Sequence, residues 1–211
     1  MKIAVLQGSS QKDKNQILME SVNKAVKSED EVINFGIFED ETINFSYIQT
    51  ALCISMLLES GAVDFAVTGC SSGQGMMLAC NSLPGVECGY IANPSDAYLF
   101  GRINNGNAIS YPLGLNWGWA AEINLQDTLK RLFSEPFGCG YPKKDAERKM
   151  RDTKLLKELS GLTKKTLIEI IPLIDEGLFK SVLERQCVVE YIMKYGSNKR
   201  LMSLIAAYPI S

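Results

Sequence analysis

The sequence predicts an α/β protein in three layers, with a parallel sheet of about five strands, helices on both faces and a helical C-terminal extension. Short apolar segments alternate with longer segments of helical spacing over most of the first 135 of 211 residues. This alternation is typical of parallel βαβ units. After residue 134 the strand-like segments stop, and the pattern is helical.

Each predicted strand is a short apolar run that ends in a polar or glycine-containing turn. The predicted strands are residues 2–6, 31–35, 64–68, 87–92 and 108–110. The segments between them carry apolar residues three and four positions apart, as helices do. Helices are predicted at residues 14–27, from the N-cap Ser46 to residue 58, at 76–80, from Pro94 onward and at 119–133.

A loop rich in proline and glycine at residues 135–142 separates two predicted parts of the chain. The first is an α/β domain, residues 1–135, and the second is a helical extension, residues 143–211, packed on it. The loop is too short for the extension to move as an independent module.

Residues 143–159 of the extension mix basic with acidic side chains, which favours a solvated helix face over an anion site. Residues 167–174 are apolar and are interrupted by Pro172. Apolar positions at helical spacing predict a face that is buried against the α/β domain or a neighbouring subunit. These positions are Leu155, Leu156, Leu159, Leu167, Ile168 and Ile171.

Composition restricts the class of protein. The formal net charge of −2 argues against a nucleic-acid-binding surface, and no apolar run is long enough for a membrane span. The N-terminus shows no signal-peptide pattern. Six cysteines without a C-x-x-C pair indicate reduced thiols. We therefore expect a cytoplasmic protein that binds neither nucleic acid nor membrane.

Histidine is absent from the sequence, and with it the most common general acid–base residue and zinc ligand. Neither a Ser-His-Asp triad nor a Cys-His pair can be built, even between copies of this chain. The cysteine spacing does not favour a cysteine-only zinc site. We expect chemistry that uses cysteine, carboxylates, tyrosine, lysine or the backbone, with no metal and no cofactor.

The most informative segment is the turn at residues 70–75. The apolar run at residues 65–67 leads into the sequence C-S-S-G-Q-G, and an apolar helical segment follows directly. The N–H groups of such a turn and the helix dipole form an anion site. A thiolate is favoured there, so Cys70 is a candidate base or nucleophile. The alternative is that Cys70 is a small buried apolar residue, as most free cysteines are.

This turn and the residues after it resemble a known family. The sequences T-G-C-S-S-G-Q-G-M at residues 68–76 and A-C-N-S-L-P-G-V at residues 79–86 are similar to the C-G-T-G-x-G-M and A-x-N-x-x-P-G motifs of type B ribose-5-phosphate isomerases and galactose-6-phosphate isomerase subunits. Further on, D-A-Y at residues 96–98 and R-I-N-N-G-N at residues 102–107 resemble the family's D-x-Y-x-A-R and H-N-D-A-N segment. The resemblance covers residues 1–135, and the longer tail suggests an extended subgroup.

The resemblance implies a Rossmann-like fold and an aldose–ketose isomerase that acts on a pentose or hexose through a cis-enediolate. The family's catalytic cysteine matches Cys70, which is then the base, and Ser72 replaces a catalytic threonine. The N–H groups of residues 71–75 would hold the developing oxyanion. The substrate-binding residues that it implies are Ser9, Ser10, Gln11, Tyr47, Ser71, Gly73, Gly75, Asn104 and Asn105.

The resemblance also implies a homodimer or homotetramer with a site shared between subunits. In that arrangement, residues 102–107 reach the Cys70 turn of a neighbour. Trp117 and Trp119 suit burial at an interface or in the core. The expected partner is a small-molecule sugar or sugar phosphate.

The chain departs from the family's pattern at the substrate-contacting positions. Residues 8–11 are G-S-S-Q where the family has G-S-D-H-A-G. The family's ring-opening histidine becomes Ile103 or Asn104, and asparagine cannot transfer a proton at neutral pH. The loose counterparts of its phosphate-binding arginines are Lys130, Arg131 and residues 143–151.

These departures leave several interpretations open. Tyr47 and Asp96 are the nearest titratable candidates for ring opening, and the substrate is either a sugar phosphate or a sugar without phosphate. A non-catalytic sugar-binding protein of the same fold is the main alternative. The turn at residues 8–10 also fits a flavodoxin-like flavin binder, which is a weak signal, and Met76 stands where a cysteine-dependent phosphatase needs arginine.

Overall fold

The centre of the molecule is a parallel sheet with the strand order β2-β1-β3-β5-β4. The structure, a computed structural model, describes residues 1–208, and five strands lie within them. These are β1 (Lys2–Gln7), β2 (Glu31–Asn34), β3 (Phe65–Cys70), β4 (Cys88–Tyr90) and β5 (Ala108–Pro112). The predicted α/β class and the predicted parallel sheet are confirmed.

Three strands differ from the sequence prediction by two residues or more, among them β5, which ends at Pro112 instead of residue 110. β3 continues two residues further, because its pairing with β5 persists until Cys70 lies opposite Pro112. β4 is three residues long instead of six. It ends early because the N–H group of Ala92 donates to the Asp96 carboxylate at 3.3 Å, outside the sheet.

Helices cover both faces of the sheet. The helices of the α/β part are α1 (Asn15–Ala25), α2 (Tyr47–Glu59), α3 (Gln74–Asn81), α4 (Pro94–Leu99) and α5 (Ala121–Phe133). Successive strand residues point to opposite faces, so α1, α4 and α5 pack with Ile3 and Val5, whereas α2 and α3 pack with Ala4 and Leu6. This is the predicted three-layer, Rossmann-like arrangement.

The predicted start of α2 at Ser46 is confirmed by a capping box. The Ser46 hydroxyl accepts a hydrogen bond from the Gln49 N–H group at 3.3 Å, and the Gln49 side chain accepts from the Ser46 N–H group at 2.8 Å. Such a box satisfies two N–H groups that the helix itself leaves unpaired. It fixes Tyr47 at the first helical position.

The extension continues the helical pattern. In the described part of the chain it contains α6 (Ala146–Thr163), α7 (Leu167–Ile170), α8 (Glu176–Leu183), α9 (Gln186–Tyr195) and α10 (Lys199–Ala206). Pro172 lies in a 3₁₀ turn directly after α7. Helices α7–α10 share the apolar core of α2, where Leu167, Phe179 and Leu201 are buried. No helix within residues 1–208 is long and apolar enough to cross a bilayer.

Helix α6 differs from the rest because it buries none of its residues. Its exposed leucines are Leu155, Leu156, Leu159 and Leu162, the last 83% exposed. The helix is held by polar contacts, among them a hydrogen bond of 2.6 Å from the Thr153 hydroxyl to the Ile103 carbonyl. Within one chain, the predicted apolar face is therefore buried at Leu167 and Ile171 but not on α6.

Strand β1 lies between β2 and β3, so the connection from β1 to β2 and the connection from β2 to β3 run in opposite directions across the sheet. Ligands of such folds bind at this switch point, outside the carboxyl ends of the strands. The turns at residues 8–11 and 70–75 follow β1 and β3, and both lie there. The fold thus brings together the two turns that the sequence singled out.

Candidate active site

Gly73 shapes the turn after β3. Its φ of +75° favours glycine, and a Cβ atom there would lie 2.8 Å from the ring of Tyr90. The buried hydroxyl of Ser110 donates to the Gly73 carbonyl at 2.6 Å. Gly73 is also the N-cap of α3, so the helix begins within four residues of Cys70.

Cys70 is the last residue of β3 and is half-buried. Its carbonyl accepts a hydrogen bond from the Leu113 N–H group at 2.9 Å. The next carbonyl, of Ser71, accepts from the N–H groups of Gly114 and Leu115 at 2.9 and 2.6 Å. The loop after β5 therefore holds the backbone directly after the thiol.

The N–H groups of residues 71–75 are not equally available to a ligand. Two of them bond within the turn: Gly73 donates to the Cys70 carbonyl at 3.2 Å, and Gln74 donates to the Ser72 hydroxyl at 3.4 Å. Three have no hydrogen-bond partner among residues 1–208: those of Ser71, Ser72 and Gly75. Three N–H groups beside a helix N-terminus suit an oxyanion.

The first turn contacts the Cys70 turn through Gln11. Its side-chain nitrogen donates to the Ser71 hydroxyl at 2.9 Å and to the Ser10 carbonyl at 2.6 Å. Gln11 is only 9% exposed, whereas Ser10 is exposed. Gln11, which stands where the family's first-turn motif has histidine, therefore joins the two turns.

Ser9 holds the loop that precedes α2. Its hydroxyl donates to the Ile43 carbonyl at 2.8 Å and accepts from the Phe45 N–H group at 2.6 Å, and its own N–H group donates to the Phe45 carbonyl at 2.8 Å. A ligand could reach only the remaining lone pair of this hydroxyl. The main role of Ser9 is therefore to hold the loop beside the site, and it offers little hydrogen-bonding capacity to a ligand.

Three tyrosines lie around the turn. The Tyr47 ring lies 3.7 Å from the position of a Cβ on Gly75, and the Tyr47 side chain is exposed. Tyr90, which packs against Gly73, was not predicted, although its place at the end of β4 puts it at the carboxyl edge of the sheet. Burial raises the pKa of Tyr111, against the effect of a hydrogen bond from Asn124, so this phenol is neutral at physiological pH.

Asn104 and Asn105 lie away from the Cys70 turn of the same chain. They end a π-helical segment, Phe100–Asn104, that leads into β5, and so lie at the amino edge of the parallel sheet. The Lys157 ammonium of α6 donates to the Asn105 carbonyl at 2.8 Å. Asp96, the other ring-opening candidate, accepts from the side chain of Asn93 at 2.8 Å at the start of α4.

An apolar cavity of about 370 Å³ adjoins the Cys70 turn. It extends from Tyr47 and Gly75 to Leu78, and the extension closes it with Ile174 and Leu178. The extension therefore reaches the edge of the candidate site. In the part of the chain that the structure describes, no group of three or more Cys, Asp or Glu side chains is arranged to hold a metal ion.

Comparisons with known proteins agree with this geometry. A model of the family described as Ribose/Galactose Isomerase matches residues 3–128. The crystal structure of a 4-deoxy-L-threo-5-hexosulose-uronate ketol-isomerase complexed with a tartrate is similar, with 38% identity, a TM-score of 0.94 and 98% of each chain covered. A structure described as ribose-5-phosphate isomerase from Vibrio parahaemolyticus has 34% identity, a TM-score of 0.93 and the same coverage.

A more distant similarity concerns the fold alone. The type B ribose 5-phosphate isomerase from Trypanosoma cruzi is 17% identical, with a TM-score of 0.64, and covers 76% of this chain and 99% of its own. The comparison with curated proteins found no match.

The fold and the turn geometry thus define a sugar isomerase built on a Rossmann-like sheet. The chain belongs to the Ribose/Galactose Isomerase family, which confirms the resemblance seen in the sequence. Because the two structures with 98% coverage include its extension, it shares the longer form of the fold with them.

Proposed function

We propose that this chain is an aldose–ketose isomerase in which Cys70 is the base. One observation carries the proposal: the thiol ends β3 next to the start of α3, beside three N–H groups that have no hydrogen-bond partner within residues 1–208. A thiolate in this position can take the proton from C2 of an open-chain aldose. The N–H groups of Ser71, Ser72 and Gly75 then stabilise the oxygen charge of the cis-enediolate.

The second half of the reaction restores the enzyme. The Cys70 thiol returns its proton to C1, and the hydroxyl proton of O2 moves to O1. The Ser72 hydroxyl, in place of the family's threonine, relays this second proton. One C–H bond breaks and another forms, so the product is the ketose isomer and no other reactant is consumed.

The rest of the site binds the sugar. Ser10, Gln11 and Tyr47 border the Cys70 turn in the same chain, and Gly73 and Gly75 let its backbone approach the ligand. Asn104 and Asn105 contribute from a second copy of the chain, because they lie at the opposite sheet edge of their own. This proposal requires a homodimer or homotetramer.

We favour a substrate that stays open-chain. The sequence has no histidine, and Ile103 or Asn104 stands where the family places its ring-opening acid. A 4-deoxy-5-hexosulose uronate, the compound named for the relative with 38% identity, has no hydroxyl at C4 or C5. Its C1 aldehyde therefore cannot close a five- or six-membered sugar ring, and isomerisation needs no acid to open one.

The proposal has two competitors: a different substrate for the same reaction, and a protein that binds sugar without catalysis. A sugar phosphate is the second candidate substrate, supported by the name of the relative from Vibrio parahaemolyticus. A non-catalytic sugar-binding protein is the alternative, since the family's acidic residue and histidine are missing from the first turn.

The test is a panel of sugars incubated with the protein in heavy water and followed by NMR. We expect ketose formation, with deuterium at C1, from the 4-deoxy-5-hexosulose uronate and little from ribose 5-phosphate or galactose 6-phosphate. Faster conversion of a phosphorylated sugar would replace the open-chain substrate with the second candidate. Binding without deuterium uptake for every sugar would identify a binding protein.

A further inference from the structure

Arg185 joins the extension to the loop at residues 35–45. It lies between α8 and α9 and is 9% exposed. Both of its terminal nitrogens donate to the Glu41 carboxylate, one of them at 3.0 Å, and one also donates to the Gly36 carbonyl. Its Nε donates to the Phe35 carbonyl at 3.3 Å. All three guanidinium nitrogens are therefore engaged on this one loop.

The other side of the loop holds the first turn of the candidate site. The Glu41 carbonyl accepts a hydrogen bond from the Lys12 ammonium at 2.8 Å. Further along, Phe45 exchanges backbone and hydroxyl hydrogen bonds with Ser9 at 2.8 and 2.6 Å. The loop is thus fixed between Arg185 and residues 9–12.

We propose that Arg185 is a positioning residue for the active site. By fixing residues 35–45 it fixes residues 9–12, and so keeps Gln11 at 2.9 Å from the Ser71 hydroxyl beside Cys70. The inference rests on the proposed function, because the site concerned is the one assigned to isomerisation. It gives the extension a role in catalysis in addition to its contribution to the apolar core.

The contacts require a guanidinium. Lysine has one nitrogen and could not reach two carbonyls and a carboxylate at once. Without Arg185, the Phe35 and Gly36 carbonyls and the Glu41 carboxylate lose a charged donor. The loop would then move so that water can hydrogen-bond to these groups. The extension would stay attached, because its core is apolar and because the Gln49 side chain still donates to the Ser181 hydroxyl at 2.8 Å.

The experiment compares Arg185→Met with Leu201→Ala, a change in the extension core on α10, which packs with α7 and α9. Glu41→Gln is the milder variant if Arg185→Met does not fold, and Lys12→Met breaks the second link while leaving the extension intact. Amide hydrogen exchange is measured on peptides covering residues 8–14 and 36–45. Isomerisation kinetics are measured well below each melting temperature.

We expect Arg185→Met and Glu41→Gln to speed exchange in both peptides and to lower kcat/KM about tenfold, mainly through KM. Lys12→Met should affect the 8–14 peptide and KM in the same direction. Leu201→Ala should leave the exchange of both peptides and the KM unchanged, even where it lowers the melting temperature as much as Arg185→Met does.

Unchanged exchange at residues 8–14 in Arg185→Met and Glu41→Gln, or an equal effect of Leu201→Ala, would overturn the inference. If the parent protein converts no sugar, the proposed function fails instead. The exchange data then still decide whether Arg185 holds the first turn.

Discussion

Cys70 differs from the other cysteines in what surrounds its sulfur. Burial raises the pKa of Cys53, and the pKa of Cys88 is raised by a hydrogen bond with Cys80 and by burial, so these thiols stay protonated. Cys139 and Cys187 are exposed. Cys70 ends β3, and the N–H groups of Ser71, Ser72 and Gly75 beside it have no hydrogen-bond partner within residues 1–208.

Replacing Cys70 by alanine should lower kcat by about two to four orders of magnitude with little change in KM, since only the base is removed. The measurement is turnover of the substrate found in the sugar panel. Cys139→Ala is the matched control and should behave as the parent does. Turnover of Cys70→Ala within about threefold of the parent would assign the base elsewhere.

The ion pair of Glu41 and Arg185 predicts a loss of stability in acid. Burial disfavours the Glu41 carboxylate, but hydrogen bonds from Arg185 and the Phe38 N–H group outweigh it, so the pKa of Glu41 lies below its ordinary value of 4.5. The stabilisation is complete above that value and is lost as the pH falls through the lower pKa of the folded state.

This acid effect is measured as the free energy of unfolding in urea between about pH 6 and pH 3. We expect Glu41→Gln to be less stable than the parent at the upper end, and the difference to shrink as the pH falls. Glu176→Gln, in an exposed pair with Lys180, is the control. A difference that does not change with pH would contradict the assignment.

Among the elements, the extension combines two kinds of helix. Helices α7–α10 complete the apolar layer over α2, whereas α6 exposes its leucines and makes polar contacts such as that of Thr153 with the Ile103 carbonyl. The two should respond differently to deletion, because only the first group covers a surface that the α/β part cannot leave in water.

Ending the chain near Tyr141 should therefore expose the apolar surface of α2 and lower solubility or melting temperature. Leu162→Gln is the control, because it removes an apolar side chain from the exposed face of α6. It should leave the melting temperature unchanged when the protein is measured as a monomer. A truncated chain that stays soluble, equally stable and fully active would show that the extension is an appendage.

Elements formed by local pattern were predictable from the sequence, and contacts set by strand order were not. The capping box at Ser46, the break at Pro172 and the turn after β3 follow from residues close in sequence. The approach of Tyr90 to Gly73 depends on β5 lying between β3 and β4. The contacts of Arg185 with Glu41 join distant segments, and no periodicity in either one indicates a partner.

At the scale of the whole molecule, one chain does not bring Asn104 and Asn105 to its own Cys70 turn. Asn104 and Asn105 lie at the amino edge of the sheet, and the Cys70 turn lies at the carboxyl edge. The exposed leucines of α6 lie on a helix that contacts this same asparagine segment, at Ile103 and Asn105. A second copy could cover the leucines and bring the asparagines to its neighbour's turn.

We therefore expect a dimer or a dimer of dimers by light scattering at micromolar concentration. The double variant Leu159→Glu and Leu162→Glu should shift the mass toward the monomer, because it places two charges on the apolar face. Lys154→Glu, an exposed charge change on the same helix, is the control. A monomeric mass for the parent chain would contradict the shared site.

The contact of Arg185 with Glu41 also bears on how the enzyme is made. These residues are 144 positions apart, so the ribosome has completed every strand of the sheet before Arg185 emerges. The sheet can begin to assemble during synthesis, whereas the first turn stays unfixed until the later helices dock. Nascent chains would then carry Cys70 without a finished pocket around it, and full substrate affinity would appear only after that long-range contact closes.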